Sequence, residues 1–576
     1  MLTNICHCEA ERSERRSNPL FYEIFHPMGD CRAAKEQDRR LAMTSYSRKL
    51  HLAFCLLSMT FITACFSATP ASPLPPPLNL VTKDPNASPT PTPFQPESAT
   101  QTPLPVSTVT LMPTETLTLT PPPTSTFTPS PLPPIALPAT AIPATDVPPP
   151  TTSSRTNYVL YATLDFNAHT LAVEETIRYY NTTGQALTDI ALSIQPNLWS
   201  NAFFLNTITQ DSIALTSYSI NGQRLTPNLP QSLQAGAATT LVVNYSLSIP
   251  AKRSDTIFGY DSNMVNLVEW YPMIVPYSSG WILHDPVGFG EHLVYDASDI
   301  EVNLKVIGNG VVVAASAPSE PNGDWTRYRI YGARTFVLSA SDEFLVKESA
   351  VGSNVIRVYY FTGYDGAAEG MLNAAVSSVG LFQAKFAPYP YTSLSVVEND
   401  MHDGQEYDGV VFLSSDFFGQ YGGSSKSNLV TIGVHEIAHQ WWFGLVGNDQ
   451  ALEPWLDEAM SVYSERIYYE YNSPKNVTWW WQFRVDYFGP SGYVDTNIYN
   501  GVAFRPYTNA VYLNGAHFIE NLRTRMGDDD FFRFLKDYAS SYSRSRATTN
   551  DFFLVARRHT SADLSDLIRL YFSGSY

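Results

Sequence analysis

The chain has 576 residues, of which 44% are hydrophobic and 13% aromatic, so it can bury the cores of roughly two or three domains. Its formal net charge of −18 at pH 7 argues against a nucleic-acid partner, because a polyanion would be repelled. All five cysteines lie at or before Cys65, so no disulfide framework can hold the remainder of the chain.

The first 65 residues contain the pattern of a secretory signal. Residues 1–42 have no such pattern and are predicted to be a mis-assigned start or unstructured. From Met43, a basic pair precedes a mainly apolar run that ends at Cys65. The sequence Ile62-Thr63-Ala64-Cys65 resembles a bacterial lipobox, which predicts a lipoprotein-type signal peptide over 43–65 with Cys65 as the lipidation site. An uncleaved signal anchor is the alternative interpretation.

Residues 66–153 are dominated by Pro, Thr, Ser and Ala. This composition cannot bury enough apolar surface to offset the entropy of ordering the chain. Prolines also favour extended polyproline geometry. The segment is predicted to be a disordered stalk between a membrane anchor and a globular part.

From Tyr158 the sequence changes to short runs in which apolar and polar residues alternate. Alternation with period two, interrupted by Asn- and Gly-containing turns, is typical of antiparallel strands. We predict a β-rich domain over 154–349, built as a sandwich or a saddle-shaped sheet. Four of its strands are predicted at 158–166, 171–180, 187–194 and 240–247.

After Asn354 the apolar residues recur at helical spacing. This region, 350–576, is predicted to be the second domain. Its helices are predicted at 363–386, 434–445, 456–471, 528–542 and 549–572.

The 434–445 segment contains His435-Glu436-Ile437-Ala438-His439, which is an HExxH motif. Residues four apart lie on one face of a helix, so both imidazoles can reach one ion while Glu436 lies beside the water bound to that ion. After eighteen intervening residues comes Glu458, a carboxylate that completes a three-ligand site. Catalytic zinc keeps its fourth position for water, so this set predicts one Zn²⁺ held by His435, His439 and Glu458.

With the flanking residues Gln440-Trp441-Trp442 and Trp455-Leu456-Asp457-Glu458, the motif resembles the gluzincin zinc aminopeptidases of the membrane alanyl aminopeptidase and leukotriene hydrolase type. Asp457 stands where that family has Asn. The resemblance implies an N-terminal β-sandwich or saddle domain followed by a thermolysin-like α+β, mainly helical, zinc peptidase domain. Larger members continue into a further helical domain, so a more open cleft is expected here.

The resemblance also implies catalytic roles for individual residues. Glu436 would take a proton from the metal-bound water. Tyr512, in Tyr512-Leu513-Asn514-Gly515-Ala516, matches the family tyrosine that stabilises the oxyanion, with Asn514 in place of Lys. Glu465, two helical turns after Glu458, matches a carboxylate that orients a zinc-bound histidine.

Exopeptidase specificity requires a negative group that binds the free amine of the substrate. Glu406 retains the glutamate of the family's Gly-x-Met-Glu-Asn motif, although most of its neighbours differ. A second acid normally comes from the β-domain, and Glu269 is the candidate, with a poor match to the family pattern.

These observations predict a zinc aminopeptidase that removes the N-terminal residue of peptides with a free N-terminus. It is expected outside the cytoplasm, at the cell surface or on a membrane through its lipid anchor. Two alternatives stay open: a zinc endopeptidase or other hydrolase with the same site, and a surface binding module without turnover. The sequence leaves the oligomeric state open.

Overall fold

The computed structural model describes residues 155–253 and 256–576. The predictions for the signal segment, the stalk and Cys65 lie outside these residues. Across the described part of the chain, no helix has the length and apolarity needed to cross a bilayer.

The β-rich region is organised around an eight-stranded sheet. Burial alternates residue by residue along its strand Asn157–Asp165, which confirms the period-two pattern. The sheet is not purely antiparallel, because Asn157–Asp165 pairs in parallel with Ser298–Ile307. In spatial order its strands are Ser319–Asn322, Trp325–Ala333, Ser298–Ile307, Asn157–Asp165, Thr170–Tyr180, Ala238–Ser248, Phe203–Gln210 and Ile213–Ala214.

Two smaller sheets pack with it around a shared apolar core. The first contains Gly259–Tyr260, Val265–Leu267, Leu338–Ser341 and Val312–Ala315. The second contains Met273–Ile274, Leu192–Ser193, Arg224–Leu233, Leu187–Asp189 and Tyr218–Asn221. The strand predicted over 187–194 is therefore two short strands, with the 3₁₀ turn Gln195–Leu198 after them.

The second region begins with a five-stranded sheet, which the α+β prediction includes but which the helical spacing of apolar residues does not indicate. Its strands are Leu345–Val351, Asn354–Tyr360, Ser393–Asn399, Val410–Ser414 and Gly404–Tyr407, in that spatial order. Three of them are buried on both faces, so they show no alternation from which a strand can be recognised. The boundary predicted between 349 and 350 falls inside the first strand.

Helices cover this sheet and form the remainder of the region. They are Asp365–Lys385, Ser415–Gly419, Asn428–Ala438, Trp455–Asn472, Val477–Trp480, Phe504–Thr508, Gly515–Met526, Asp528–Ser541, Thr549–Ala556 and Ser565–Tyr571. Two π-helical turns, Trp481–Val485 and Asn509–Asn514, and two 3₁₀ turns, Pro474–Asn476 and Asp486–Phe488, connect some of them, and Val446–Gly447 pairs with Ser545–Arg546. Strands followed by a mainly helical domain are the predicted fold class.

Two predicted helices differ from the structure by more than two residues at an end. The helix of the HExxH motif begins at Asn428 rather than at 434, because the Ser427 side chain accepts a hydrogen bond from Val430 N and caps it. It ends at Ala438 rather than at 445, and Phe443 shortly after has a φ of 141° that no helix permits. The predicted 549–572 helix is two helices separated by a turn.

A buried polar contact joins the two regions close to the motif. Asp408, just after the strand Gly404–Tyr407, accepts hydrogen bonds from the backbone N–H groups of Arg334 and Thr335 and from the Thr335 hydroxyl. The Arg334 guanidinium donates to the carbonyls of Phe443, Tyr295 and Ser545. The β-rich region is thus hydrogen-bonded to segments on both sides of the candidate site.

Candidate metal centre

Two packed helices bring the predicted metal ligands together. The helix Asn428–Ala438 carries His435, and His439 caps its C-terminal end. The helix Trp455–Asn472 carries Glu458 in its first turn. All three side chains are buried. Buried polar groups need partners, so these three side chains must either hydrogen-bond to one another or bind an ion.

The distances between the ligand atoms fit a tetrahedral cation. His435 Nε2 lies 3.2 Å from His439 Nε2 and 3.2 Å from Glu458 Oε2, and His439 Nε2 lies 3.6 Å from that oxygen. Ligand atoms that surround one zinc ion at about 2.0–2.1 Å stand roughly 3.3 Å apart. The three donors therefore match three corners of a zinc coordination tetrahedron.

Hydrogen bonds at the far side of each ring fix which nitrogen faces the ligand site. His435 Nδ1 lies 3.0 Å from Glu465 Oε1, and His439 Nδ1 lies 3.0 Å from the Trp442 carbonyl oxygen. Each Nδ1 faces an acceptor and therefore carries the hydrogen, which leaves a lone pair on each Nε2. Two lone pairs and a carboxylate directed to one point repel one another unless a cation lies between them.

Glu436 lies beside this point on the same helix and is buried. The strand Gly404–Tyr407 passes so close that a Cβ atom on Gly404 would stand 2.3 Å from Glu436 Oε1. Burial raises the pKa of Glu436 well above its usual range, with both histidines opposing the shift and the carboxylates of Glu406 and Glu458 reinforcing it. In its ionised form, a carboxylate whose pKa is raised is a stronger proton acceptor than an exposed one.

Tyr512 faces the ligands from the π-helical turn Asn509–Asn514. Its ring stacks on that of His435 with centroids 6.2 Å apart. The Tyr512 hydroxyl forms no hydrogen bond of normal geometry with the described residues, although the Glu458 carboxylate lies close enough to raise its pKa. Burial, followed by the charges of Glu291 and Glu458, raises the pKa of Tyr512 well above its usual range. The phenol therefore remains a hydrogen-bond donor.

Three further buried carboxyl groups lie near the ligands: Glu406, Glu269 and Glu291. Glu406 accepts hydrogen bonds from the Gln450 amide at 2.9 Å and the Gln405 amide at 2.7 Å. Burial and then the charge of Glu406 raise the pKa of Glu269 to about 8. Burial, then Glu458 and Glu406, raise that of Glu291 well above its usual range.

Comparisons with known proteins agree with this geometry. Residues 371–571 match the model described as the Peptidase family M1 domain. That match contains the histidines, Glu436, Glu458 and Tyr512. Residues 371–571 form a peptidase family M1 domain.

The relatives of this M1 domain include plant aminopeptidases. Aminopeptidase M1-B of Oryza sativa subsp. japonica is 26% identical over 244 residues, which are 39% of this chain and 27% of that protein. Aminopeptidase M1 of Arabidopsis thaliana is 24% identical over 231 residues, 37% of this chain and 26% of that protein. The chain thus spans about a quarter of the length of these two curated relatives (27% and 26%).

Solved structures share the fold over a longer range. The M1 zinc metallopeptidase of Deinococcus radiodurans superimposes with a TM-score of 0.54 at 16% identity, covering 73% of this chain and 95% of that one. A variant of that protein bound to a Tyr-Ser-Ala substrate gives 0.54 at 15% identity, with the same coverage. The likeness extends beyond the M1 domain and so includes the β-rich region, as the sequence predicted.

The M1 domain and the β-rich region together bring all the predicted site residues of the described chain to one place. Glu465 contacts His435, Tyr512 stacks on it, and Glu406 lies beside His439 and Glu458. Glu269, the poorest match in sequence, reaches the same acidic cluster from a left-handed backbone position with φ of 48°. In the amide orientation that gives both groups a partner, the Gln195 nitrogen donates to Glu269 Oε1 at 3.0 Å.

Two site residues were not predicted. Glu291 enters from a loop in which Gly290, at φ of 71°, packs closely against Ile498 and Tyr507. Arg484 pairs with Glu465 from the π-helical turn Trp481–Val485. Neither stands at a fixed spacing from the HExxH motif, and only the tertiary fold brings them there.

Proposed function

We propose that this chain is a zinc-dependent aminopeptidase that hydrolyses the N-terminal peptide bond of peptides. The observation that carries this proposal is the position of the acidic cluster Glu406, Glu269 and Glu291 beside the metal ligands. A metal site alone would serve any zinc hydrolase. The acidic cluster adds the means to choose a substrate with a free amine.

The electrostatics of the cluster support an ammonium ion as its partner. Burying several carboxylates in one place is costly unless a cation compensates them. Besides burial, the main influences on the pKa values of the three groups are other carboxylates, His439 and the Gln450 amide, rather than a lysine or arginine. A substrate ammonium group would supply the missing positive charge and would gain charge-assisted hydrogen bonds.

The ligand geometry supports the chemistry. When bound by His435, His439 and Glu458, a zinc ion supplies a Lewis acid that polarises the scissile carbonyl and acidifies water. Glu436 would take the proton from that water and pass it to the leaving amine. Tyr512 would donate its hydroxyl hydrogen to the oxygen that becomes negative.

The acidic cluster also sets the length of substrate that precedes the cleaved bond. Glu406 is held in place by Gln405 and Gln450, so an amine bound there has a fixed distance to the metal ligands. Only a peptide bond one residue away from the amine can then reach the metal and Glu436. Fixed positioning of this kind is a large part of enzymatic rate acceleration.

The test is hydrolysis by the full chain with zinc, using a panel of aminoacyl fluorogenic substrates and their N-acetylated counterparts. Cleavage limited to free-amine substrates and lost in Glu436→Gln is the expected result. Cleavage of the acetylated substrates at equal rates would identify an endopeptidase or another hydrolase. Zinc binding without any turnover would identify a binding module.

We further propose that the protein works outside the cytoplasm, attached to a membrane through a lipid on Cys65. The support is the sequence alone: the lipobox-like Ile62-Thr63-Ala64-Cys65 after an apolar run, and the Pro/Thr/Ser-rich segment that would separate the M1 domain from the membrane. Metabolic labelling with a radioactive fatty acid should mark the wild type and leave Cys65→Ala unlabelled. Labelling of both would contradict the assignment of Cys65.

A further inference from the structure

Glu465, which contacts His435, is held by two further side chains. Arg484 Nε lies 3.2 Å from Oε1 and 3.0 Å from Oε2, and its Nη2 donates to Oε1 at 2.9 Å. Trp480 Nε1 donates to Oε2 at 2.8 Å. Together with His435 Nδ1 at 3.0 Å, these donors occupy both carboxylate oxygens. Glu465 therefore has one orientation available to it.

We propose that Arg484 is a positioning residue of the metal centre, which fixes Glu465 and through it the ring of His435, and thereby raises the affinity for zinc. The proposal rests on the proposed zinc site, because it concerns the affinity of that site. Arg484 would act through Glu465 and would contact neither the substrate nor the metal.

The chemistry of arginine suits this position. Glu465 is completely buried and Arg484 nearly so, with 0% and 11% of their side chains exposed. A buried carboxylate is retained only when it is paired and hydrogen-bonded. The planar guanidinium binds both oxygens at once and remains charged at every relevant pH. Arg484 therefore fixes the carboxylate in angle as well as in distance.

The segment that carries Trp480 and Arg484 is itself held in place. Trp480 ends the short helix Val477–Trp480 and is fully buried, and Arg484 follows in the π-helical turn Trp481–Val485. The wider turn of a π-helix changes the direction of the side chains it carries and is often found at functional sites. Glu465 lies on the helix Trp455–Asn472, so the contact connects this turn to the helix that supplies Glu458.

The consequence for zinc follows from the geometry of His435. With Nδ1 donating to Glu465, the ring keeps its Nε2 lone pair directed at His439 and Glu458. If Glu465 were free to rotate, the His435 ring would sample other orientations and tautomers. Zinc binding would then have to order the ring, which lowers the affinity. Changes to groups that orient a metal-bound histidine typically weaken metal affinity by about 10- to 100-fold.

The experiment measures the zinc dissociation constant of the full chain by competition with a chelating dye. We expect Arg484→Gln to bind zinc about 10- to 100-fold more weakly than the wild type. The matched control is Arg466→Gln, which removes another largely buried arginine that the helix Trp455–Asn472 itself carries and that pairs with Glu470 rather than Glu465. The control should leave zinc affinity unchanged.

A double-mutant comparison tests whether Arg484 acts through Glu465. In a chain that already carries Glu465→Gln, adding Arg484→Gln should weaken zinc binding far less than it does alone. Equal effects in both backgrounds would overturn the proposal, as would wild-type affinity in Arg484→Gln or an equal loss in Arg466→Gln.

If Arg484→Gln does not fold, Arg484→Lys decides, because an ammonium group cannot bind both oxygens in the arginine geometry. Weaker zinc binding at an unchanged melting temperature of the zinc-free protein supports the proposal, and wild-type affinity overturns it. Because affinity is measured without a substrate, these results are independent of whether the protein is an aminopeptidase. A chain that binds zinc with this dependence on Arg484 but cleaves nothing would refute the proposed function alone.

Discussion

Replacing Glu406 with Gln should separate amine recognition from catalysis. The substitution keeps the shape of a side chain that is 3% exposed and contacts two glutamine amides, and it removes the negative charge. Loss of one partner of a buried charge pair costs about 2–5 kcal/mol. Glu269 and Glu291 remain and keep part of the attraction, so we expect the lower half of that range, roughly a 30- to 300-fold fall in kcat/KM.

The sharpest assay compares two inhibitors that differ only in the amine. An amino-acid hydroxamate carries the free amine and a metal-binding group, and its desamino analogue carries the metal-binding group alone. Glu406→Gln should weaken the first inhibitor and leave the second unchanged. The control Glu398→Gln changes another buried acid of the same sheet, whose Oε2 accepts from Phe361 N, and should affect neither inhibitor. An equal loss of affinity for both inhibitors in Glu406→Gln would show that Glu406 does not bind the amine.

Three further predictions address other parts of the molecule. Gly404→Ala should lower kcat with zinc content unchanged, because its Cβ would stand 2.3 Å from Glu436 Oε1 and displace the proton acceptor; an unchanged kcat would contradict this. Tyr512→Phe should lower kcat by about 10²–10³-fold with little change in KM, the size expected for one oxyanion donor, and a change in KM alone would assign Tyr512 to binding. Glu175, fully buried in the β-rich region with no hydrogen-bond partner for either oxygen among the described residues, has its pKa raised well above the usual range by burial. The stability that the protonated Glu175 contributes is therefore fully present below its unfolded pKa and is lost as pH rises through its folded pKa, by up to about 1.4 kcal/mol per pH unit. Glu175→Gln should flatten the fall of the unfolding free energy from pH 5 to pH 8. Equal pH profiles of unfolding free energy for the variant and the wild type would contradict this assignment.

The sequence was most informative where one local pattern decides the outcome. Alternation along 158–166 predicts a strand that the structure has at Asn157–Asp165. The spacing of His435, His439 and Glu458 predicts a ligand set that the structure brings within 3.2–3.6 Å. In both cases helix or strand geometry relates sequence spacing directly to distance.

The sequence was least informative where tertiary packing decides. The strand Ser393–Asn399 is buried on both faces and has no alternation, so periodicity alone does not reveal it, although the family resemblance implies an α+β domain. Glu291 and Arg484 belong to a loop and a π-helical turn, and their positions depend on how several elements pack. Glu269 could be named only weakly, because the left-handed backbone that directs it to the site has no sequence signal in a glutamate.

The proposed function requires the metal site to cleave the peptide bond next to the free amine of the substrate. The decisive experiment incubates the zinc-loaded full chain with a decapeptide, or with the same peptide acetylated at its N-terminus, and follows the products by mass spectrometry. We expect a ladder of peptides shortened one residue at a time from the N-terminus, and no product from the acetylated peptide. Internal fragments, or equal cleavage of both peptides, would contradict the proposed function.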